Sequence, residues 1–582
     1  MTIVSWKLKK LWRERLQRER GNYIFPSGVR SRFALIYPNS YYVGMSNLGL
    51  HIIYDILNRR TDTACERFFL PERDELAEFM KSRQPLFSME TQTPLSMFPL
   101  IAFAVSFEMD YFHVLDILSL GQVGLLAAER GDDEPLVIAG GPCATFNPEP
   151  LSPFVDAFVI GEGEETMQRF MDTYYEGKNK GFGRAELLRS LAEVPGIYVP
   201  SLYEHQYTGE GDLQSIVPAE GAPLQVKRQW VKCLDDYPGH TVVVTDDTEF
   251  KLYLLETARG CGRHCRFCMA GYCFRKPRNR SLFRLKEEIS RAKDFGKRIG
   301  FMGAAISDYP AIDELCQCIM QQGMSMSVAS FRADSVTETL VASLAQSGMK
   351  TLTIAPEAGS ARLRRVINKG IEEADVFRTV DLGLAAGIRH FRLYFMIGLP
   401  FETEADILAI ADMVIKIRSH MREKVSGARL TVSVNPFVPK PFTPFQWLPM
   451  AEKAVLEGYI RLLRQAFKSL PDIELLTESV RESIVQAVLA RGDRRTGMAL
   501  FKAWRQGGAK AFLRAMKDEG LEVARCIYRE RQKDEVFPWE TVDVGVRRDY
   551  LYQELANAAQ EKTAPKCFDG CRRCGVCLPA EE

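Results

Sequence analysis

The chain has 582 residues, 46% of them hydrophobic and 26% charged, so it carries enough apolar material for several packed cores. Its 76 basic and 75 acidic residues leave a formal charge of +1, which excludes a global field that gathers nucleic acid or membrane. No apolar run is long enough to span a bilayer, and the start lacks the apolar core of a signal peptide, so a cytoplasmic protein is expected.

In chain order, residues 1–30 form a basic arm with Lys7, Lys9, Lys10, Arg13, Arg15, Arg18 and Arg20. Such a cluster can neutralise phosphate, but Val4, Leu8, Leu11 and Leu16 also give it the apolar stripe of a docked amphipathic helix. Over 31–200, the apolar runs "RFALIYP", "LIAFAVSF", "PLVIAGG" and "DAFVIGEGEE" alternate with helical stretches. That alternation predicts a doubly wound parallel α/β sheet, whose ligands sit at the carboxyl ends of the strands. There the sequence places the turn-rich "YPNSYYVG", "GGPCATFNPEP" and "GEGEE".

Residues 201–245 read as a connector broken by "TGEGDL" and "PAEGAP". A second alternating region, 246–450, offers strands at 252–258, 299–303, 326–331, 351–357, 389–397 and 429–435. Six β/α units fall short of the eight that close a barrel, so a partial (β/α)6 barrel with an open side is expected. Residues 451–560 are helical in pattern, and 561–582 carry "CFDGCRRCGVC".

Fourteen cysteines in a chain expected to meet a reducing compartment point to metal or redox chemistry rather than disulfides. Cys261, Cys265 and Cys268 follow the first barrel strand as C-x3-C-x2-C, at the barrel end that carries chemistry. Three thiolates can hold three irons of a 4Fe–4S cluster and leave the fourth open. Arg259, Arg263, Arg266 and Arg275 are placed to offset thiolate charge, and Phe267 to shield the cluster. The alternatives are a zinc site completed by Cys273 or a plain electron carrier. At the tail, Cys567, Cys571, Cys574 and Cys577 would close a metal shell, as a second 4Fe–4S cluster or as zinc, with iron–sulfur favoured by the dense spacing. Cys143, Cys316, Cys318 and Cys526 read as ordinary small buried residues.

"CGRHCRFC" resembles the signature of the radical S-adenosylmethionine superfamily, CxxxCxxC with an aromatic residue before the last cysteine. "YPNSYYVGMSNLGLHIIYDILN", "VPKPFTPFQW", "VINKG", "RGDRR" and the terminal "CGVC" are similar to one uncharacterised branch with an N-terminal cobalamin-binding-like domain. The resemblance implies that the open iron chelates S-adenosylmethionine. One electron from a partner such as flavodoxin or ferredoxin then cleaves its C–S bond, giving methionine and a 5′-deoxyadenosyl radical. It also implies cofactor contacts at strand ends: Gly303, Ser330, Arg332, Glu357 and, in "MIGLP", Gly398. Alanines stand at 304 and 305, where the superfamily usually shows a carboxylate, so backbone carbonyls would take its place. The loop after the first strand lacks the D-x-H-x-x-G of a cobalamin held by protein imidazole, which leaves cobalamin without that ligand or a sheet that positions substrate only.

The expectation is a radical enzyme that modifies an unreactive carbon, with methyl or methylthio transfer preferred and RNA or a ribosome-associated protein as substrate. The alternatives are cofactor or tetrapyrrole biosynthesis, and a non-enzymatic iron–sulfur electron-transfer protein.

Overall fold

The computed structural model describes residues 5–296 and 298–577. They fall into two compact units. One takes the chain up to Leu252 with Val488–Val523 and Asp534–Val544; the other takes Tyr253–Ala487, Ala524–Lys533 and the chain from Gly545 onward.

The first unit is built on a six-stranded sheet of β1 (Ser31–Ser40), β2 (Thr63–Leu70), β3 (Leu100–Ala104), β4 (Leu136–Gly140), β5 (Ala157–Val159) and β6 (Ile197–Tyr198). Its order is β2-β1-β3-β4-β5-β6, parallel in every pairing described except β5 with β6. Phe33 stands opposite both Cys65 and Leu100, so β1 is central, and its six consecutive buried residues reflect a strand covered on both faces. The chain leaves β1 in one direction to make β2 and returns to make β3 on the other side. That reversal opens a crevice at the strand ends.

The basic arm is a helix, Trp6–Gln17, capped by the Ser5 hydroxyl, which accepts the Leu8 N–H. Leu8 and Trp12 are buried, and the Trp12 ring meets Phe87 edge-on at 4.9 Å. Lys7, Lys10 and Arg13 face solvent, while Val4 lies outside the described residues. Just beyond the helix, buried Glu19 pairs with Arg67 at 2.6 Å, and Arg67 pairs with Glu90 at 2.7 Å. The arm is thus pinned by packing and by a buried ion triad, which is costly to break one partner at a time.

Two motifs that the sequence singled out prove structural here. In "RGDRR", the Ala490 and Gly492 carbonyls accept from the Asn147 amide, and Arg494 pairs with Glu149 at 3.0 Å. In the connector, "TGEGDL" turns an antiparallel hairpin, Tyr203–Tyr207 against Leu213–Pro218.

The second unit contains the expected parallel strands and one more. They are β7 (Leu252–Glu256), β8 (Arg298–Met302), β9 (Met326–Ser327), β10 (Thr351–Glu357), β11 (His390–Ile397), β12 (Arg429–Pro436) and β13 (Ile473–Thr477). β7-β8-β9 form one sheet and β10-β11-β12-β13 another, joined by a parallel bridge between Phe331 and Ile354. The third expected strand, 326–331, is regular only at its start, because the backbone leaves the ladder until Phe331 donates to the Thr353 carbonyl at 3.1 Å.

Helices return the chain between strands, and their starts are written locally. Ser281, Thr337 and Ser360 side chains cap Leu282–Lys293, Glu338–Gln346 and Ala361–Val366, and Thr403 with Asp406 makes a capping box for Glu404–Lys424. Along β11, Phe391, Leu393, Phe395 and Ile397 are buried while His390, Arg392, Tyr394 and Met396 alternate with them half-exposed. A Cβ on Gly383 of the neighbouring helix would meet the Phe391 ring at 2.7 Å, so the buried set faces the helices. The alternate set lines the inside of the partial barrel.

Candidate functional site

The cysteine loop runs from β7 to the helix Leu282–Lys293. Its neck is closed by a short antiparallel ladder, Ala258–Arg259 against Arg278–Asn279. Inside it, Gly260 holds φ 79°, and a Cβ there would lie 2.1 Å from the Phe274 carbonyl oxygen, so no other residue fits. Cys268 N–H donates to the Cys265 carbonyl and Gly271 N–H to that of Cys268, so the loop makes two successive tight turns that keep the three cysteines in one neighbourhood. Burial, then Cys265 and Cys261, push the Cys268 thiol up to about 12, and burial raises Cys261 as well. Thiols this close cannot ionise together without nearby cationic charge, which the iron of a 4Fe–4S cluster supplies. The donor set fits that group. Among the described residues, no three His, Cys, Asp or Glu side chains are grouped around the position of a single metal ion.

The four loop arginines are held by other groups, Arg275 by the Gly271 carbonyl and His264 Nδ1. Arg259 pairs with Glu256, Arg263 bridges Asp308 and Asp334, and fully buried Arg266 holds Glu554 with the carbonyls of Arg365, Val366 and Lys562. Arg332 stands beside a loop sulfur, its Nη1 3.7 Å from Cys265 Sγ. Arg332 also holds Asp334 and the Lys369 carbonyl, and Lys369 pairs with Glu357 at 3.0 Å and lies 5.9 Å from the Phe267 ring. Phe267, Arg332 and Glu357 therefore form one connected group at the barrel mouth.

The remaining expected cofactor contacts differ among themselves. Gly303 lies against the loop's root: a Cβ there would be 3.2 Å from Thr257 Oγ1 and 3.3 Å from the Ala258 carbonyl oxygen. Gly303 and Ala304 are exposed, which leaves their backbone open at the mouth. Ser330 is exposed at the third strand's end. Gly398, at φ 77°, donates its N–H to Glu402 and faces Ala451 and Leu456, so its described neighbours are outside the cysteine loop. Burial raises the Glu402 carboxyl to about 8.

The tail folds onto this loop. Cys567 N–H donates to the Gly262 carbonyl at 2.8 Å, and a Cβ on Gly262 would be 3.1 Å from the Cys567 Cβ. His264, fully buried at φ 61°, places Nε2 3.2 Å from Cys567 Sγ, and Asn368 bonds both His264 and Ala564. Burial, then Arg275 and Arg573, hold the His264 imidazole down to about 3, so it is neutral. The four tail cysteines form a group of their own: Cys567 feels Cys571 and Cys574, and Cys577 feels Cys574 and Cys571. Arg573 Nε lies 3.3 Å from Cys571 Sγ; the Arg573 backbone and side chain outweigh burial and hold that thiol low. An all-thiol donor set of this kind suits iron–sulfur or zinc.

His264, Asn368 and Lys369 were not singled out by sequence. The available signals were a histidine inside the cysteine motif and, in "VINKG", an Asn-Lys-Gly run in which Asn takes the left-handed conformation, φ 51°.

At the N-terminal sheet, the strand ends are occupied by the same unit's own chain. A Cβ on Gly141 would lie 2.7 Å from the Val105 carbonyl oxygen, and one on Gly161 2.2 Å from that of Gln229, which also accepts the Glu162 N–H. After β1, Asn39 bonds Asp110, and His51 is buried against the Met45 carbonyl. Across the crevice, His113 uses Nδ1 on the Pro38 carbonyl and Asp110. The loop after β1 supplies no imidazole, and it does not fit a cobalamin held by that loop's own histidine.

Comparison with known proteins agrees with the cysteine loop. A family model described as "Radical SAM proteins, N-terminal" matches residues 49–200, and the "Radical SAM superfamily" model matches 255–414. An uncharacterized protein of Methanocaldococcus jannaschii is 30% identical over 465 residues, 79% of this chain and 88% of that one. An uncharacterized methyltransferase of Pyrococcus horikoshii is 27% identical over 304 residues, 50% of this chain and 60% of its own. Among solved structures, the radical S-adenosylmethionine methyltransferase TsrM from Kitasatospora setae, with cobalamin and a 4Fe–4S cluster bound, gives a TM-score of 0.49 at 13% identity, covering 84% of this chain and 99% of that one. The cobalamin-dependent radical enzyme OxsB, with aqua-cobalamin and S-adenosylmethionine bound, gives 0.43 at 16% identity, covering 78% and 58%. On its cysteine loop and the two family models, the chain belongs to the radical S-adenosylmethionine superfamily, whose members use a 4Fe–4S cluster and S-adenosylmethionine.

Proposed function

We propose that Cys261, Cys265 and Cys268 hold three irons of a 4Fe–4S cluster, and that S-adenosylmethionine binds at the fourth beside Gly303, Ser330, Arg332 and Glu357. The observation that carries this reading is the grouping of the three loop cysteines with Arg332, Lys369 and Glu357 at the barrel mouth, Arg332 Nη1 standing 3.7 Å from Cys265 Sγ. The cluster supplies one low-potential electron to the sulfonium. Arg332 and Lys369 supply positive charge beside the thiolates, and the exposed Gly303–Ala304 backbone stands where the superfamily's usual carboxylate is missing. The electron comes from a one-electron carrier such as flavodoxin or ferredoxin.

The reaction we favour is methyl or methylthio transfer to an unreactive carbon of RNA or a ribosome-associated protein. The name of the Pyrococcus relative and the order of domains support transfer. The tail cysteines hold a second iron–sulfur cluster in this reading. Among the described residues, no helix is long and apolar enough to cross a membrane, consistent with a cytoplasmic setting.

Anaerobic protein reconstituted with iron and sulfide is incubated with dithionite and S-adenosylmethionine, and products are separated chromatographically. Methionine with 5′-deoxyadenosine or S-adenosylhomocysteine is expected. If none of these accumulates while the loop cluster is fully loaded, the enzymatic reading fails. Copurifying RNA supports the RNA substrate, and a bound pigment moves the reading to tetrapyrrole chemistry.

A further inference from the structure

His264 sits between the two groups of thiols. It is the residue immediately before Cys265 in the loop, yet its ring points into the tail. Nδ1 has two neighbours, Arg275 Nη2 at 2.6 Å and the Tyr550 hydroxyl at 2.7 Å. A guanidinium has no acceptor, so Nδ1 is the lone-pair nitrogen, and the ring proton stays on Nε2. That N–H points at Cys567 Sγ, 3.2 Å away. The tautomer follows from the neighbours alone.

Several contacts hold this orientation. The His264 carbonyl accepts from Asn368 Nδ2 at 3.1 Å, and the Tyr272 ring stands edge-on at a centroid separation of 6.4 Å. Cys567 is fixed in turn through its N–H on Gly262. The path from Cys567 Sγ through the imidazole to the Cys265 backbone thus contains one hydrogen bond and otherwise covalent bonds.

We propose that His264 is a positioning residue that joins the two metal centres: it donates from Nε2 to the Cys567 thiolate, raises the reduction potential of the tail cluster, and carries the electron from that cluster toward the cysteine loop. The inference rests on the reading that the tail holds iron–sulfur. A hydrogen bond to a cluster thiolate stabilises the reduced, more negative state, and hydrogen bonds to the sulfurs are among the terms that set these potentials. A cluster held by the tail cysteines would take one electron from a low-potential carrier and return to its oxidised state on passing that electron to a cluster held by Cys261, Cys265 and Cys268.

The experiment is an anaerobic redox titration followed by electron paramagnetic resonance, on the full chain as wild type, His264→Leu and His264→Gln, with iron, sulfide and zinc measured on each. His264→Leu is expected to keep both clusters and lower the tail midpoint by about 59 mV, a tenfold change in its reduction ratio for a one-electron couple. His264→Gln, which keeps an N–H donor, is expected to recover part of the shift. Reduction of the loop cluster by flavodoxin is expected to slow in His264→Leu, while direct reduction by dithionite holds its rate. An unmoved tail midpoint with full iron content overturns the role of His264 and leaves the iron–sulfur tail standing. Zinc in the tail, with iron for one cluster only, overturns the iron–sulfur tail and this inference with it. Loss of iron from His264→Leu transfers the decision to His264→Gln, whose midpoint must lie between the wild-type value and one about 59 mV lower; a value moved by the full tenfold overturns the proposal.

Discussion

Asn368 and Ala564 are joined by a reciprocal pair of hydrogen bonds: the Ala564 N–H donates to Asn368 Oδ1 at 2.9 Å, and Asn368 Nδ2 donates to the Ala564 carbonyl at 3.1 Å. One side-chain amide therefore imitates a backbone ladder and fastens the approach to the tail cysteines onto the cysteine loop. Asn368→Ala is expected to cost about 1–3 kcal/mol through unsatisfied partners and to free the tail first. Limited proteolysis near residue 564, compared with the global unfolding midpoint, checks this. Equal loss at both would show that the clasp is not local.

The two sets of cysteines are expected to load independently. Cys265→Ala should lose one cluster's worth of iron and all cleavage of S-adenosylmethionine while the tail stays filled. Cys571→Ser should do the reverse to the metal. Iron and sulfide per chain, read beside the Mössbauer spectrum, give the answer. Complete loss of metal in either variant would show a single interdependent site.

Glu357 answers Lys369 across the barrel mouth at 3.0 Å. Glu357→Gln is expected to weaken S-adenosylmethionine binding about tenfold, or about 1.4 kcal/mol, with the iron content unchanged. Equilibrium dialysis with labelled ligand measures it. An unchanged dissociation constant would confine Glu357 to a structural pairing.

Glu402 has a carboxyl raised to about 8 by burial, although the Gly398 and Leu399 N–H groups oppose the shift. A folded pKa above the unfolded value means that the native state holds the extra proton. Its contribution is complete below pH 4.5 and is lost as pH climbs toward 8. Wild-type stability is expected to fall across that window. Glu402→Gln should flatten the fall, which in the wild type is on the order of 3 kcal/mol between pH 5.5 and 8.5. Urea midpoints at pH 5.5 and 8.5 for both proteins decide it, and parallel curves would refute the assignment.

The N-terminal helix is held by its apolar side. Trp12→Ala is expected to cost about 3–5 kcal/mol, since the ring is only 1% exposed against Phe79 and Phe87. Replacing Lys7, Lys10 and Arg13 together by Gln should leave the melting temperature unchanged. If RNA is the substrate, the same triple variant should bind it more weakly with a shallower salt dependence. A destabilised triple variant would mean that the basic face is packed.

Much of this was legible in residue order because it is local. Cys261, Cys265 and Cys268 lie within eight residues, and hydrogen bonds between near neighbours make the tight turns of their loop. The strands carry their own signature in apolar runs, and Ser281, Thr337 and Ser360 mark where helices begin. The parallel pairing of most of the N-terminal sheet follows from that alternation, since parallel strands need a crossover between them, whereas the strand order does not.

What the order of residues alone did not decide is which distant groups meet. Arg259, Arg263 and Arg266 look in sequence like counter-charges for the thiolates. Folding gives them Glu256, Asp308, Asp334 and Glu554 instead, because a buried guanidinium is costly unless paired, and it leaves the sulfur of Cys265 to Arg332. The seventh barrel strand lies within a stretch that reads as helix and earns its place only through the ladder of Leu430 with Ile473. Cys567 stands some three hundred positions from His264, and no local pattern encodes a hydrogen bond across that interval. Local spacing set the candidate ligands side by side; tertiary packing chose their neighbours, because desolvation and hydrogen-bond satisfaction depend on what the completed fold buries together.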